Sequence, residues 1–146
     1  MAYAAEQTGL EVLPLSKCVR HLEGHEVARV GYEIDGHVHV YPINYIWDGE
    51  AIVFRCEEGS SLARAAAGEI VIELDSANNR ERSGWSIVAR GTPQVVDPDE
   101  TPELAARLER LAFYPWAAGE KRVWLRLIPA PLTGRSVPSA TWGSNG

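Results

Sequence analysis

The sequence predicts a mainly β protein, a small antiparallel barrel of about six strands with two or three short helices. Stretches in which apolar residues recur with a period of two follow each other at short intervals, as in antiparallel strands. Two Asp-Gly pairs, beginning at Asp35 and Asp48, separate consecutive stretches and are typical of tight hairpin turns. The helical segments are inserted between strands instead of alternating with them, which argues against a doubly wound parallel sheet. Closing the sheet into a barrel would also protect its edge strands.

The amino-terminal half is predicted to form a helix followed by a three-stranded meander. Residues 1–14 are a lead-in, and Ser16 can cap a helix over residues 17–22. Three strands follow, over residues 26–34, 37–47 and 51–55. The alternation changes face around Pro42, which predicts that this residue lies at a sheet edge or a bulge, where the strand ladder opens.

The carboxyl-terminal half adds two helices and three strands. A helix over residues 62–67 follows Ser60 and Ser61, either of which can be its N-cap, and another begins at Pro102. Residues 75–83 form a polar loop that is mobile or faces a ligand. The strands lie over residues 69–74, 85–96 and 121–128. The chain is therefore divided into a lead-in (1–14), one domain (15–135) and a flexible tail (136–146).

Composition excludes several classes of function. The 146 residues suit a single domain, so an active site would be small, shared between subunits or supplied by a cofactor. The 14 Lys and Arg against 20 Asp and Glu give a net charge of −6, the wrong sign for a protein that binds nucleic acid. The longest stretch without a charged residue, 36–47, is shorter than the roughly 20 residues of a membrane-spanning helix. The first fifteen residues lack the features of a secretory signal. We therefore expect a cytoplasmic protein with no nucleic-acid or membrane partner.

Motifs for metal binding and for a self-contained nucleophilic enzyme are absent from the sequence. His37 and His39 share a strand face, but two ligands do not make a metal site. There is no Gly-x-Ser-x-Gly, Walker or His-Glu-x-x-His motif. Cys18 and Cys56 are too few for a disulfide framework, and we expect both to be reduced. We predict no metal and assign no catalytic residue.

A basic residue and two hydroxyls lie before the second predicted helix. Arg55 ends the third strand, and Ser60 and Ser61 precede the helix, so the guanidinium, both hydroxyls and the free backbone N–H groups could bind an anion such as phosphate. The same spacing suits an ordinary capped helix in which Arg55 pairs with Glu57 or Glu58. Both interpretations remain open from the residues alone.

Two further segments offer contacts to a flat ring. Asn44 and its neighbours lie at the predicted bulge, where they could hydrogen-bond a heterocycle, although a purely structural bulge explains the pattern almost as well. Trp85 presents an indole beside Gly84, which permits close approach, and the hydroxyl of Ser86. Packing of Trp85 in the core is the alternative.

Taken in order, these segments resemble the pyridoxamine 5'-phosphate oxidase-like family of FMN-binding split barrels. The resemblance runs from Leu15 to Arg135. It rests on Pro42-Ile43-Asn44-Tyr45, on Val53-Phe54-Arg55 with Gly59-Ser60-Ser61-Leu62, on Ser83-Gly84-Trp85-Ser86-Ile87 and on Leu132-Thr133-Gly134-Arg135. It implies a split barrel that forms a homodimer and binds FMN, or a deazaflavin, in a groove at the subunit interface.

The resemblance also implies which residues bind the cofactor. They are Pro42, Asn44 and Tyr45 along the isoalloxazine ring, Arg55 and Ser60 at the ribityl phosphate, Ser61 and Leu62 beside them, and Trp85 and Ser86 in the same groove. Relatives usually carry a lysine at the place of Ser61. In this chain, the positive charge of that lysine would have to come from Arg64, Arg80 or Arg82.

Three hypotheses of function follow. The resemblance favours a flavin-dependent oxidoreductase, in which the cofactor accepts and donates hydride to a small-molecule substrate while the protein orients it. The second hypothesis is a non-catalytic protein of the same fold that binds or stores a flavin, a deazaflavin or haem. The third is a ligand-free structural or regulatory dimer.

Overall fold

The computed structural model describes residues 10–138 except 112, 114 and 118. The rest of the expected lead-in and tail, residues 1–9 and 139–146, lies outside this described part. In chain order, the elements are β1 (Glu11–Val12), α1 (Leu15–Glu23), β2 (Val27–Ile34), β3 (His37–Asn44), β4 (Ile46–Trp47), β5 (Ile52–Cys56), α2 (Ser61–Ala65), β6 (Ile70–Asn78), β7 (Ser83–Gly91), β8 (Gln94–Val96), α3 (Pro102–Glu109), β9 (Val123–Leu127) and β10 (Leu132–Val137).

The strands form two antiparallel sheets. The six-stranded sheet has the order β1-β10-β7-β6-β2-β3, and the four-stranded sheet has the order β4-β5-β9-β8. The prediction of a mainly β, antiparallel fold is confirmed, and the arrangement is consistent with a split barrel. The expected closure into one ring of strands is not observed among the described residues. The chain instead passes from the six-stranded to the four-stranded sheet between β3 and β4 and again between β7 and β8. The strands therefore form two separately hydrogen-bonded sheets.

Pro42 lies within β3, the edge strand of the six-stranded sheet, where a residue without an N–H is tolerated. Pairing between β2 and β3 keeps one register along the whole of β3, including Pro42 opposite Arg29. Of the two alternatives predicted at Pro42, the sheet edge is therefore confirmed and the bulge is wrong. The break occurs at Tyr45, where the chain passes into β4 and joins the other sheet.

Polar composition concealed the true length of several strands. The expected polar loop over residues 75–83 is largely strand, and residues 79–82 make the turn between β6 and β7. Asn78 Oδ1 accepts hydrogen bonds from the backbone N–H groups of Arg80 and Glu81, each at 3.1 Å. The strand predicted over residues 85–96 is divided into β7 and β8, and β10 continues to Val137, beyond the predicted start of the tail.

Two apolar clusters hold the sheets and helices together. The larger one contains fully buried residues of both sheets and of α1, among them Leu22, Phe54, Ile72, Ile87 and Leu125. The smaller one lies under α3 and contains Val53, Val96, Ala105, Leu108 and Trp124. Full burial of each large side chain contributes about 1.5–3 kcal/mol. Cys18 and Cys56 are both buried and free.

The helices start close to their predicted positions. α1 begins after Pro14 without a side-chain cap, so Ser16 lies within its first turn and does not cap it. Ser60 caps α2 as predicted, because its Oγ accepts a hydrogen bond from Ala63 N at 3.2 Å. None of the described helices is long and apolar enough to cross a membrane.

Candidate functional site

Arg55 projects from β5 into a cavity of about 430 Å³. Its guanidinium carbon lies 4.4 Å from the centre of the Trp124 ring. Its Nη2 lies 4.0 Å from Oε1 of Glu109. The same Glu109 oxygen accepts a hydrogen bond from Trp124 Nε1 at 2.7 Å. Arg55 Nε is buried and has no hydrogen-bond partner among the described residues. The expected alternative, a pair between Arg55 and Glu57 or Glu58, does not form within the described part of the chain.

Two further cations line the Arg55 cavity. Lys121 and Arg122 precede β9, and the cavity wall is completed by residues 115, 117, 119 and 120. Arg122 Nη2 pairs with Glu120 Oε2 at 2.6 Å, with both side chains exposed. Sequence reasoning missed these two cations because their segment carries no motif. Pairing across β5 and β9 brings them to Arg55, and such pairing cannot be inferred from spacing along the chain.

The hydroxyls predicted at the phosphate end are already engaged in hydrogen bonds. Ser60 Oγ caps α2, and Ser61 Oγ lies 2.6 Å from Tyr32 Oη. Leu62 is fully buried in the larger cluster, so its side chain belongs to the core. Arg64 pairs with Asp35 at 3.4 Å on the surface. The structure thus places the extra positive charge near Arg55 on Lys121 and Arg122.

Asn44 and Tyr45 line a second cavity, of about 280 Å³, together with His25, Trp47 and Phe113. Asn44 Oδ1 accepts a hydrogen bond from Trp116 N at 2.9 Å, while its Nδ2 donates to Glu26 O at 3.5 Å. Tyr45 is buried, and its hydroxyl donates to Leu22 O at 2.8 Å. Burial raises the pKa of the Tyr45 phenol above its ordinary value. Tyr45 therefore ties the junction of β3 and β4 to α1.

Trp85 and Ser86 line a third cavity, of about 380 Å³, beside the turn between β6 and β7. The Trp85 ring stacks on His21 with centroids 3.8 Å apart, and His25 meets it edge-on at 4.8 Å. Burial, and then the charges of His25 and Lys17, lower the pKa of His21. Trp85 also packs against the larger apolar cluster, so it serves the core and the cavity together.

A further cavity of about 550 Å³ at the end of α1 has lining residues in common with both the Asn44 and the Trp85 cavities. It shares Glu23, His25 and Glu26 with the first and Asp75 with the second. We call this surface the α1 groove. Trp116, which is 70% exposed, lines its middle part, while Pro115 and Ala117 line the Arg55 cavity. Residues 115–117 thus separate the α1 groove from the Arg55 cavity.

The two histidines weighed as metal ligands lie on β3. The ring of His39 stacks on Tyr32 with centroids 5.1 Å apart. Within the described ranges, no group of three or more His, Cys, Asp and Glu side chains is close enough together to hold a metal ion.

Glu73, Asp75 and Arg29 form a charged cluster on the outer face of the six-stranded sheet. Arg29 Nη1 lies 3.1 Å from Asp75 Oδ2 and 3.7 Å from Glu73 Oε1. Glu73 Oε1 is buried without a hydrogen-bond partner among the described residues. Burial, and then the hydrogen bond and charge of Asp75, raise the pKa of Glu73 to about 7.

Replacing Glu73 with glutamine is expected to increase stability at pH 8 and to change it much less at pH 5. Because the folded-state pKa lies above the ordinary value of 4.5, the stability linked to protonated Glu73 is complete below pH 4.5 and is lost as the pH rises through 7. Urea unfolding of wild type and variant at both pH values measures this difference. Glu81→Gln, at an exposed turn position, is the control. An equal gain at both pH values would contradict the prediction.

These features define a class of protein: a small split barrel of two antiparallel sheets, with a ligand-sized groove and a separate cationic cavity. The family described as pyridoxamine 5'-phosphate oxidase matches residues 15–136, and the chain belongs to this family. The resemblance found in the sequence is confirmed.

Relatives and solved structures agree with this assignment. An uncharacterized protein of Mycobacterium tuberculosis (strain H37Rv) is 36% identical over 88 residues, which cover 60% of this chain and 76% of that protein. The FAD binding protein from Mycobacterium smegmatis is 27% identical, with a TM-score of 0.71 over 86% of this chain and 96% of that one. A FAD-binding protein from Mesorhizobium loti shares the fold at 18% identity, with a TM-score of 0.65 over 88% of this chain and 99% of that one.

Proposed function

We propose that this protein is a cytoplasmic flavin-dependent oxidoreductase that binds a flavin nucleotide, FMN in its simplest form, and transfers hydride to or from a small-molecule substrate. The observation that carries the proposal is Arg55 Nε, a buried donor without an acceptor among the described residues, beside a cavity with two further cations. An unsatisfied buried donor is costly, and a ligand phosphate would satisfy it. Family membership and the similarity to the FAD binding protein of Mycobacterium smegmatis support a flavin as the ligand.

The residues present fit the phosphate end of a flavin nucleotide. Arg55, Lys121 and Arg122 would hold the phosphate. Ser60 follows Arg55 closely in the sequence. The two cations before β9 would replace the lysine expected at Ser61, whose hydroxyl is bonded to Tyr32. Such charge-assisted contacts are stronger than neutral hydrogen bonds.

The α1 groove fits a flat ring. Asn44 lies at one end of the groove, close in the chain to Pro42, while Trp85 and Ser86 lie at the other end. When bound, the flavin would supply the hydride chemistry. The protein would orient the ring and exclude water. The titratable groups along the middle of the groove are Glu23, His25, Glu26, Arg29 and Asp75.

We infer that a second copy of the chain completes this site. Trp85 and Ser86 line a different cavity from Arg55, so one chain offers its predicted ligand contacts in separate places. The outer face of β3 presents Val38 and Val40, 75% and 66% exposed, in line with Pro42. An apolar strip of this kind is a typical contact surface, and a second copy would cover it.

Sedimentation is expected to give a dimer, and a monomer that binds flavin fully would contradict the inference.

Replacing Arg55 with glutamine is expected to weaken FMN binding by about tenfold to a hundredfold, because one charge-assisted contact to phosphate is lost. Titration of the protein with FMN, followed by flavin fluorescence, measures this. Arg64→Gln is the matched control, since Arg64 is an exposed arginine paired with Asp35. Riboflavin, which lacks the phosphate, should bind both variants alike. A colourless wild-type protein whose melting temperature FMN does not change would overturn the proposal.

A second candidate is a flavin-binding protein without turnover. It is favoured by the similarity to the Mycobacterium smegmatis protein, which is described as an FAD binding protein. Reduction of the bound flavin by NADH or NADPH, followed by steady-state transfer to oxygen or a quinone, separates the two candidates. Tight binding with no reduction would support the second.

A further inference from the structure

Trp116 is the largest apolar side chain that the described part of the chain leaves exposed, at 70%. It lines the cavity of about 550 Å³ at the end of α1, together with residues 23–26. The pairing of β2 with β6 puts Val27, Arg29 and Asp75 on the outer face of the six-stranded sheet, where they form the floor of this cavity. An exposed aromatic side chain beside a cavity is typical of a ligand-binding site.

The floor of the cavity presents surfaces on which a flat ring can lie. Arg29 Nη1 lies 3.1 Å from Asp75 Oδ2 and 3.7 Å from Glu73 Oε1, so the charge of the planar guanidinium is compensated within the sheet. Val27, which is 36% exposed, adds an apolar contact on the same face. Aromatic rings favour stacked contacts with indole and guanidinium planes. A flat ring therefore fits between this floor and Trp116.

Asn44 fixes the position of Trp116. It lies on β3 opposite Val27, and so on the same outer face. Its Oδ1 accepts a hydrogen bond from Trp116 N at 2.9 Å, and its Nδ2 donates to Glu26 O at 3.5 Å. Among the described residues, no other hydrogen bond ties residues 115–117 to the rest of the chain. The Asn44 amide is thus engaged at both ends by segments that line the cavity.

We propose that the Trp116 indole stacks on the flat ring of a flavin in the α1 groove, and that Asn44 positions Trp116 for this contact instead of touching the ring itself. The inference rests on the proposed function, because it names a further residue of the same site. Sequence reasoning did not single out Trp116, because residues 115–117 carry no motif and are tied to the groove by a hydrogen bond from a distant strand.

Replacing Trp116 with leucine is expected to raise the Kd for riboflavin and the Kd for FMN by the same factor, about tenfold, because stacking on the ring does not involve the phosphate. Titration of the flavin-free full-length protein, followed by flavin fluorescence, measures both constants. A stacked indole quenches the fluorescence of a bound flavin, so the bound flavin should also be brighter in the variant. Trp116→Phe, which keeps a flat ring, should recover most of the affinity.

Ile128→Ala is the control for this substitution. Ile128 is an apolar side chain that is 49% exposed and lines none of the cavities described above, so both Kd values should stay unchanged. Melting curves verify that each variant is folded. A wild-type Kd for riboflavin or unchanged quenching in Trp116→Leu would overturn the proposal. Conversion of a wild-type dimer into a monomer by Trp116→Leu would also overturn it, because Trp116 would then be a subunit contact.

A double-mutant cycle tests the role of Asn44. Because Asn44 acts through Trp116, Asn44→Ala is expected to raise the Kd for riboflavin in the wild type and to add nothing in the Trp116→Leu background. Additive effects of the two substitutions would show that Asn44 contacts the ring directly and would overturn its positioning role.

The same titrations separate this inference from the proposed function. A wild-type protein that binds neither riboflavin nor FMN overturns both. A wild-type protein that binds FMN, with a Kd that Arg55→Gln raises and Trp116→Leu does not, overturns the Trp116 contact alone.

Discussion

Replacing Arg126 with methionine is expected to lower the free energy of unfolding by about 3–5 kcal/mol, since it removes one partner of a buried ion pair. Arg126 Nε donates to Asp48 Oδ2 at 2.8 Å and its Nη2 donates to Glu50 Oε2 at 3.1 Å. The side chains of Arg126 and Asp48 are only 8% and 5% exposed. Burial by itself raises the pKa of Asp48, but hydrogen bonds from Arg126 and two backbone amides leave that pKa below its ordinary value. Without Arg126, a buried carboxylate would lose its main counter-charge.

Urea unfolding of the Arg126→Met variant measures this loss. Arg122→Met removes an exposed pair and is expected to cost about 1 kcal/mol or less. Adding Asp48→Asn to Arg126→Met should recover part of the stability, because the buried carboxylate, left only with Arg107 at 3.6 Å, is then replaced by a neutral amide. If Arg126→Met lowers the free energy of unfolding no more than Arg122→Met does, the buried pair of Arg126 and Asp48 is not important for folding.

Replacing Gly134 with alanine is expected to lower the free energy of unfolding by about 1–3 kcal/mol, because β10 packs against α1 without room for a side chain. A Cβ at this position would lie 2.6 Å from Cys18 Sγ and 2.8 Å from Ile87 Cδ1, both in the core. A Cβ at Gly68, in contrast, would come no closer than 3.8 Å to a neighbouring atom.

Gly68→Ala is the control for this substitution. Both changes reduce the conformational freedom of the unfolded chain in the same way, so the difference between the variants isolates the steric clash. Gly68→Ala is expected to stay within about 0.5 kcal/mol of wild type in urea unfolding. Equal stability of the two variants would contradict the close packing of β10 on α1.

The parts of the fold that could be predicted are those with local signals. The Asp35 turn and the two-residue period beside it predict the hairpin of β2 and β3 correctly. The strand predicted over residues 37–47 is divided, because β3 ends at Asn44 and β4 joins the other sheet. β10 was missed because its Gly, Ser and Arg residues look like a loop, and it becomes a strand only by pairing with β7. The single strand predicted across residues 85–96 is divided after Gly91, where the chain changes sheets. Sheet membership depends on such distant pairings, which sequence periodicity does not report.

The candidate site shows the same division between local and distant information. Ser60 was predicted as a cap and is one, because capping involves only the next few residues. Tyr45 was predicted as a ring contact, yet its hydroxyl is bonded to Leu22, and that contact depends on how α1 packs on the sheet. Lys121 reaches the Arg55 cavity only through the pairing of β5 with β9.

The segment 115–117 separates the Arg55 cavity from the α1 groove with alternate residues facing opposite sides. Pro115 and Ala117 line one space, and Trp116 lines the other. A larger side chain in place of Ala117 would narrow the cationic cavity and leave the groove unchanged, while a smaller one in place of Trp116 would widen only the groove. Selectivity for the two ends of a ligand can therefore evolve, or be engineered, independently within three consecutive residues.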